Sequence, residues 1–174
     1  MENWVGEEAA LELFAHHYET GEVLPKKLLQ KIKKSKNFRS GTNCLRQLTF
    51  GYLDMAWFGQ YNDVDNVEEF ERRAVKKTML REQDTPGASI STMFAHIFAG
   101  GYSAGYYSYK WAEVLDADAF EKFQEDGIFN KDTAKSFRDN ILSQGNISHP
   151  LELYKHFRGR EPKVEALLKR EGLL

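Results

Sequence analysis

The chain has 174 residues, of which 41% are hydrophobic and 29% charged, and its formal net charge is -2. That balance describes a water-soluble globular chain: no apolar run approaches the ~20 residues of a membrane span, and no general excess of Lys and Arg would draw it to nucleic acid. Its single cysteine, Cys44, excludes an internal disulfide, fits a reducing, cytoplasmic setting, and reads as a small core residue.

The opening "MENWVGEEAALELF" has no basic segment leading into an apolar one, so no secretory signal is expected. Helical periodicity then recurs along the chain while sustained strand alternation is missing, which predicts an all-α, multi-helical fold without internal repeat or low-complexity linker. A first helix is expected over about Glu7 to Glu19, burying Ala10, Leu11, Leu13, Phe14 and Tyr18 and stopped by Gly21. After Pro25 a short basic helix follows, and Lys26, Lys27, Lys31, Lys33, Lys34 and Lys36 read as its solvated face. The segment from about Gly41 to Gln60 carries Leu45, Leu48, Leu53, Met55, Trp57 and Phe58 around much of its circumference, as a central helix would. About Val64 to Arg81 reads as an amphipathic surface helix, and Asp84-Thr85-Pro86-Gly87 as a turn. A helix from about Ser89 to Ala99 should break at Gly100-Gly101 and resume from Tyr102 to about Gln124. Asn130 is a plausible N-cap for a helix ended by Gly145, Pro150 opens a further helix ended by Gly159, and "KVEALLKREGLL" closes the chain.

The stretch "HIFAGGYSAGYYSYKW" is the chemically dense one. At about 100° per residue, Tyr102, Tyr106, Tyr109 and Glu113 fall within roughly 60° of one helix face, with Tyr107, Trp111, Val114 and Leu115 opposite. The second face reads as core. The first combines three phenols with a carboxylate that a dry core would not accept without a partner, so it should border a polar cavity. Tyrosine, with a pKa of about 10, stays protonated at neutral pH and can donate to an oxyanion without first ionising. The two glycines permit positive φ, a close backbone approach, or movement of a covering loop. Packing alone would also account for aromatic residues at this spacing, and His96 alone for a structural histidine.

The block "FAHIFAGGYSAGYYSYKWAEVLDADAF", with "MENW", "LRQL", "DGIFN", "NILSQG" and "FRGREP", resembles the C-terminal part of the thimet-oligopeptidase-type zinc metallopeptidases, which include oligopeptidase A and the peptidyl-dipeptidases. The resemblance implies that His96 and Tyr102 bind substrate, that Tyr109 stabilises the tetrahedral oxyanion, that Tyr106 lines the cleft and that Gly100 and Gly101 form the loop that closes on bound peptide. It implies short peptide substrates in a channel between two helical halves, a zinc-bound water activated by a glutamate, and release of C-terminal dipeptides, with oligopeptidase-like internal cleavage as the alternative. The family's His-Glu-x-x-His helix is absent here: none of His16, His17, His96, His149 and His156 forms such a pair. "AHHYET" does not replace it, because adjacent residues point about 100° apart on a helix, and His149 and His156 suit capping or surface roles. The resemblance therefore implies that residues 1–174 form one all-α C-terminal part of a peptidase catalytic domain, with the zinc ligands on a missing N-terminal part. Alone, the chain should hold no metal and be inactive. A non-enzymatic helical peptide-binding module is the alternative from another class.

Overall fold

Where the sequence offers strong caps, helices start and stop as the residues dictate. In a computed structural model that describes residues 2–59, 63–80 and 85–174, Asn130 accepts hydrogen bonds from the Asp132 and Thr133 amides at 2.9 and 3.0 Å, opening α7 (Lys131–Phe137), with α1 to α6 defined below. A π-helical turn over Arg138–Leu142 continues it. Pro150 begins α8 (Pro150–Arg158), His149 Nδ1 accepts from the Leu151 amide at 3.2 Å, and Gly159 ends the helix in the left-handed conformation. The last helix is α9 (Glu165–Arg170). The described residues contain helices and one type of extended pairing, an isolated antiparallel bridge between His16 and Val23, and no strand. The fold is all-α. No helix among the described residues is long and apolar enough to cross a membrane.

The chain divides into two compact units, Met1–Phe38 with Val114–Leu174, and Arg39–Glu113. The first contains a 3-10 turn (Glu2–Gly6), α1 (Glu8–Phe14), α2 (Lys26–Lys36), the greater part of α6 (Ser108–Asp126), and α7 to α9. Phe120, Phe123, Tyr154 and Phe157 form its aromatic core. Trp4 packs edge-on against Phe120 and Phe123, with ring centroids 4.7 and 5.0 Å apart, and its indole N–H donates to the Ile128 carbonyl at 3.0 Å. The "MENW" tryptophan is thus a core residue. On α2 only one side is used for packing, through buried Leu29, which leaves its lysines toward solvent as expected.

The first helix is shorter than its periodicity predicts. It ends at Phe14 rather than near Glu19, and although Ala10 and Leu11 are buried, Leu13, Phe14 and Tyr18 are exposed. The competing interaction is local: His17 Nδ1 accepts from the Glu19 and Thr20 amides at 3.3 and 3.2 Å, and the His17 amide donates to the Glu22 carbonyl at 2.8 Å. These bonds satisfy the backbone in a turn closed at Gly21, φ +70°, so the helix has no need to continue.

The second unit contains α3 (Ser40–Gly59), α4 (Val67–Val75), a 3-10 turn (Ser91–Met93), α5 (Ala95–Phe98) and the start of α6. Leu53, Val75, Phe94 and Ile97 make its core, with Phe50 and Trp57 packed against them. Phe50, Leu53 and Trp57 lie on one stripe of α3 at helical spacing. Leu48, Met55 and Phe58 are exposed, so α3 is packed on fewer sides than its apolar circumference predicts. Asn66 caps α4 by accepting from the Glu69 amide at 3.0 Å; the helix ends at Val75, short of the expected Arg81, which with Gln60 and Asp84 lies outside the described residues. Gly87, at φ +76°, turns the chain where Pro86-Gly87 predicts it.

The expected helix from Ser89 to Ala99 is replaced by the 3-10 turn and the four-residue α5. The start of this segment is held by Glu71, a buried carboxylate from α4. It accepts from the Ser89 hydroxyl and Ile90 amide at 2.8 Å, and from the Ser91 amide and hydroxyl at 2.9 and 2.8 Å. The backbone hydrogen bonds holding its carboxyl below the usual range more than offset the opposing, and individually largest, effect of burial. Ser89, Ile90 and Ser91 are thereby tied to α4.

Candidate functional site

The site is built by the chain reversal between α5 and α6. Gly100 lies so close to α5 that a Cβ there would stand 2.8 Å from the His96 carbonyl oxygen and 2.9 Å from its Cα. Gly101 follows at φ +79°, and the Tyr102 amide donates back to the same His96 carbonyl at 3.2 Å. The Ser103 hydroxyl donates to the Ile97 carbonyl at 2.5 Å. Ala104 is left-handed at φ +53°, and Asp54 of α3 accepts from the Ala104 and Tyr106 amides at 2.8 and 2.9 Å. Regular helix resumes at Ser108, six residues later than predicted.

Residues 102–107 are therefore not on a helix, yet the side chains singled out in the sequence meet. The Tyr109 ring centroid lies 5.1 Å from that of Tyr102 and 5.0 Å from that of Tyr106. The His96 ring is 6.2 Å from Tyr102 and 6.3 Å from Tyr106. Tyr106 and Tyr109, but not His96 or Tyr102, line an open cleft of about 280 Å³ that is bounded further by Tyr107 and by Leu48, Tyr52 and Met55 of α3. Its walls are mainly apolar, rather than the polar cavity expected. Tyr107 is 59% exposed and Trp111 50%, so that end of the face read as core is open, whereas Val114 is buried and Leu115 packs on the aromatic core. Helical phase groups Tyr107 and Trp111 with Val114, but Tyr107 precedes α6, and along α6 burial begins only at Val114, one turn after Trp111.

Two of the phenols are held in their donor form. A hydrogen bond with Tyr102 raises the pKa of Tyr109 above the ordinary tyrosine value, followed by burial and by the charges that Tyr102 and Tyr106 would carry. Burial raises that of Tyr106, against the lowering effect of Arg46, with Glu113 adding to the rise. The Tyr106 hydroxyl donates to Gln47 Oε1 at 3.2 Å, and its ring packs edge-on against Phe94 at 5.1 Å and Phe50 at 5.7 Å. Glu113 has the partner its position demands: Lys110 Nζ is 2.6 Å away.

Asp54 and Glu71 are the residues that sequence reasoning missed. Asp54 had a signal, a carboxylate between Leu53 and Met55 on an apolar helix, which a buried face tolerates only if hydrogen-bonded. Glu71 had none, being one acid in the charged run "VEEFERRAVKK".

The zinc implied by the family resemblance does not fit the donors present. Among the described residues no three or more His, Cys, Asp or Glu side chains are grouped to hold a metal ion. His17 and His149 already use Nδ1 as a backbone acceptor.

The two glycines have separable roles, which gives a direct test. Gly101→Ala has space but must take the left-handed conformation, so unfolding free energy should fall by about 1–2 kcal/mol. Gly100→Ala collides with backbone, so it should in addition shift the His96 and Tyr102 amide resonances. Denaturation and amide NMR on the two variants check this, and a silent Gly100→Ala spectrum would contradict the close approach.

The profile described as Peptidase family M3 matches residues 1–173. The chain is 47% identical over 174 residues to oligopeptidase A of Escherichia coli, covering 99% of this chain and 26% of that protein. It is 42% identical over 180 residues to the organellar oligopeptidase A of Arabidopsis thaliana, covering 100% and 23%. Against the dipeptidyl carboxypeptidase of Salmonella typhimurium it is 35% identical over 174 residues, covering 99% and 26%. The chain thus spans about a quarter of the length of these relatives.

Proposed function

We propose that this chain, which belongs to peptidase family M3, is the substrate-binding and oxyanion-stabilising C-terminal part of a zinc peptidase catalytic domain that hydrolyses short peptides. The observation that carries the reading is the convergence of the Tyr102, Tyr106, Tyr109 and His96 rings, of which Tyr106 and Tyr109 line an open cleft. When water attacks a peptide carbonyl, the oxygen becomes an oxyanion, and a phenol that keeps its proton at neutral pH is a donor already in place. Tyr109 has that role, its ring held between those of Tyr102 and Tyr106 at 5.1 and 5.0 Å. His96 and Tyr102 hold the peptide, Tyr106 forms the adjacent wall, and Gly100 and Gly101 let the loop fold back onto His96. Zinc and the groups that activate the water belong to the rest of the polypeptide.

Internal cleavage has the support of higher identity to the oligopeptidase A relatives, 47% against 35% for the dipeptidyl carboxypeptidase. Release of C-terminal dipeptides is the second reading, supported by that latter match over 99% of the chain. The test is to express the chain alone and together with its upstream coding sequence, and to offer each a short peptide with a free or amidated C-terminus. Expected is no cleavage by the chain alone and zinc-dependent cleavage by the longer protein. Cleavage of both peptides marks internal hydrolysis, and cleavage of only the free-ended one marks dipeptide release. Peptide binding without cleavage by the longer protein would overturn the peptidase reading in favour of a helical binding module.

A further inference from the structure

We propose that Asp54 is the positioning residue of this site: its buried carboxylate latches the segment 102–107 in the conformation that brings the three tyrosines together. This rests on the reading of Tyr102, Tyr106 and Tyr109 as the substrate-facing phenols.

Asp54 is 0% exposed and lies on α3 next to Leu53, the centre of the unit's apolar core. A carboxylate in such a place is strongly unfavourable unless its oxygens are satisfied. Here each oxygen takes one backbone amide, Oδ1 that of Ala104 and Oδ2 that of Tyr106. Those amides have no helix or sheet to serve, because the segment lies between α5 and α6. The bonds come two residues apart and bracket Gly105, so they fix both the position and the direction of the backbone entering Tyr106. They also hold Ala104 at φ +53°, a conformation that a residue with a Cβ adopts only when its surroundings require it. Tyr106 then packs on Tyr109 and on His96, so a carboxylate that touches no substrate atom sets the spacing of groups that would. Glutamate, longer by one methylene, would push the segment outward, and asparagine would present an NH₂ group to one of the two amides.

The experiment uses the 174-residue chain with ¹⁵N and ring-¹³C tyrosine labels. In the unsubstituted chain the Ala104 and Tyr106 amides should be protected from hydrogen exchange, and cross-peaks should connect the Tyr109 ring with those of Tyr102 and Tyr106. Asp54→Asn should abolish or weaken those cross-peaks while the Leu53, Val75 and Ile97 methyl signals stay in place. Adding Ala104→Gly to that variant removes the left-handed penalty and should restore part of the contact. Unchanged ring cross-peaks in Asp54→Asn, or no recovery on adding Ala104→Gly, would overturn the proposal. Should Asp54→Asn fail to fold, unprotected Ala104 and Tyr106 amides in the unsubstituted chain would overturn it equally. In the longer peptidase, Asp54→Asn should lower kcat by about 10²-fold, the effect of misplacing groups by about 1 Å, and full activity with displaced rings would sink the positioning role. A Tyr109→Phe variant with undiminished kcat would instead sink the reading of the phenols, leaving the ring contacts to report on Asp54 alone.

Discussion

Replacing Tyr109, the proposed oxyanion donor, by Phe in the longer peptidase is expected to lower kcat by about 10²–10³ with little change in KM, because the ring is kept and only that donor would be lost. The Tyr109 and Tyr102 rings stand with centroids 5.1 Å apart, so removing one hydroxyl alters the surroundings of the other. Tyr102→Phe should therefore act partly through the orientation of Tyr109 and partly through peptide binding, raising KM as well as lowering kcat, and the two losses should not add in the double variant. Tyr107 is no neutral reference, since its ring borders the same cleft. Tyr18, 88% exposed in the turn after α1, is the better one, and Tyr18→Phe should leave both constants unchanged. The raised pKa of Tyr109 has its own signature. A tyrosine loses its donor proton as pH rises through its pKa, so the alkaline fall in kcat due to this group should lie above the ordinary value of about 10. Steady-state kinetics on the three variants would decide: equal values for Tyr109→Phe and Tyr18→Phe would leave the tyrosine cluster as packing.

How the sequence encodes this site differs from how it encodes the helices around it. Asn130, Pro150 and Gly159 act within one turn of where they stand. Such features are legible because their physics is local. The breaks were not, because each is set by a carboxylate distant in sequence or a side chain competing for backbone amides: Glu71 at Ser89–Ser91, Asp54 at Ala104 and Tyr106, and His17 after α1. The tyrosine stripe shows the consequence. Helical phase places Tyr102, Tyr106 and Tyr109 together, and they are together, but by a chain reversal that helical phase does not describe. The same phase puts Tyr107 and Trp111 in a core where they are not. The roles assigned to His96 and the tyrosines come from resemblance to a family, and nothing in their spacing alone would separate an oxyanion donor from an aromatic cluster.

Asp118→Ala should be the most destabilising single change in the unit formed by residues 2–38 and 114–174, at about 3–5 kcal/mol. Asp118, on α6, is 0% exposed and accepts from Arg160 at 2.6 and 3.1 Å and from the Tyr154 hydroxyl at 2.5 Å. Arg158 Nε lies 3.7 Å away. These contacts explain the "FRGREP" segment: Phe157 enters the aromatic core, Gly159 turns the chain, and the two arginines close on one buried acid. The pKa of Tyr154 is pushed far above its usual value by burial first and the Asp118 bond second, so it remains a donor that needs an acceptor. Removing the carboxylate orphans that hydroxyl and leaves Arg158, almost wholly buried, with only Glu121 and Glu125 to balance it. Arg160 is more exposed and water can replace part of what it loses, which places the expectation toward the lower end. Tyr154→Phe removes one donor and leaves the acid paired, so about 1 kcal/mol is expected. Denaturant unfolding followed through Trp4, which touches Phe120 and Phe123 in this same core, reads the unit directly. If Asp118→Ala unfolds with no greater loss than Tyr154→Phe, the arginines do not depend on Asp118, and Phe157 packing alone holds the segment in place.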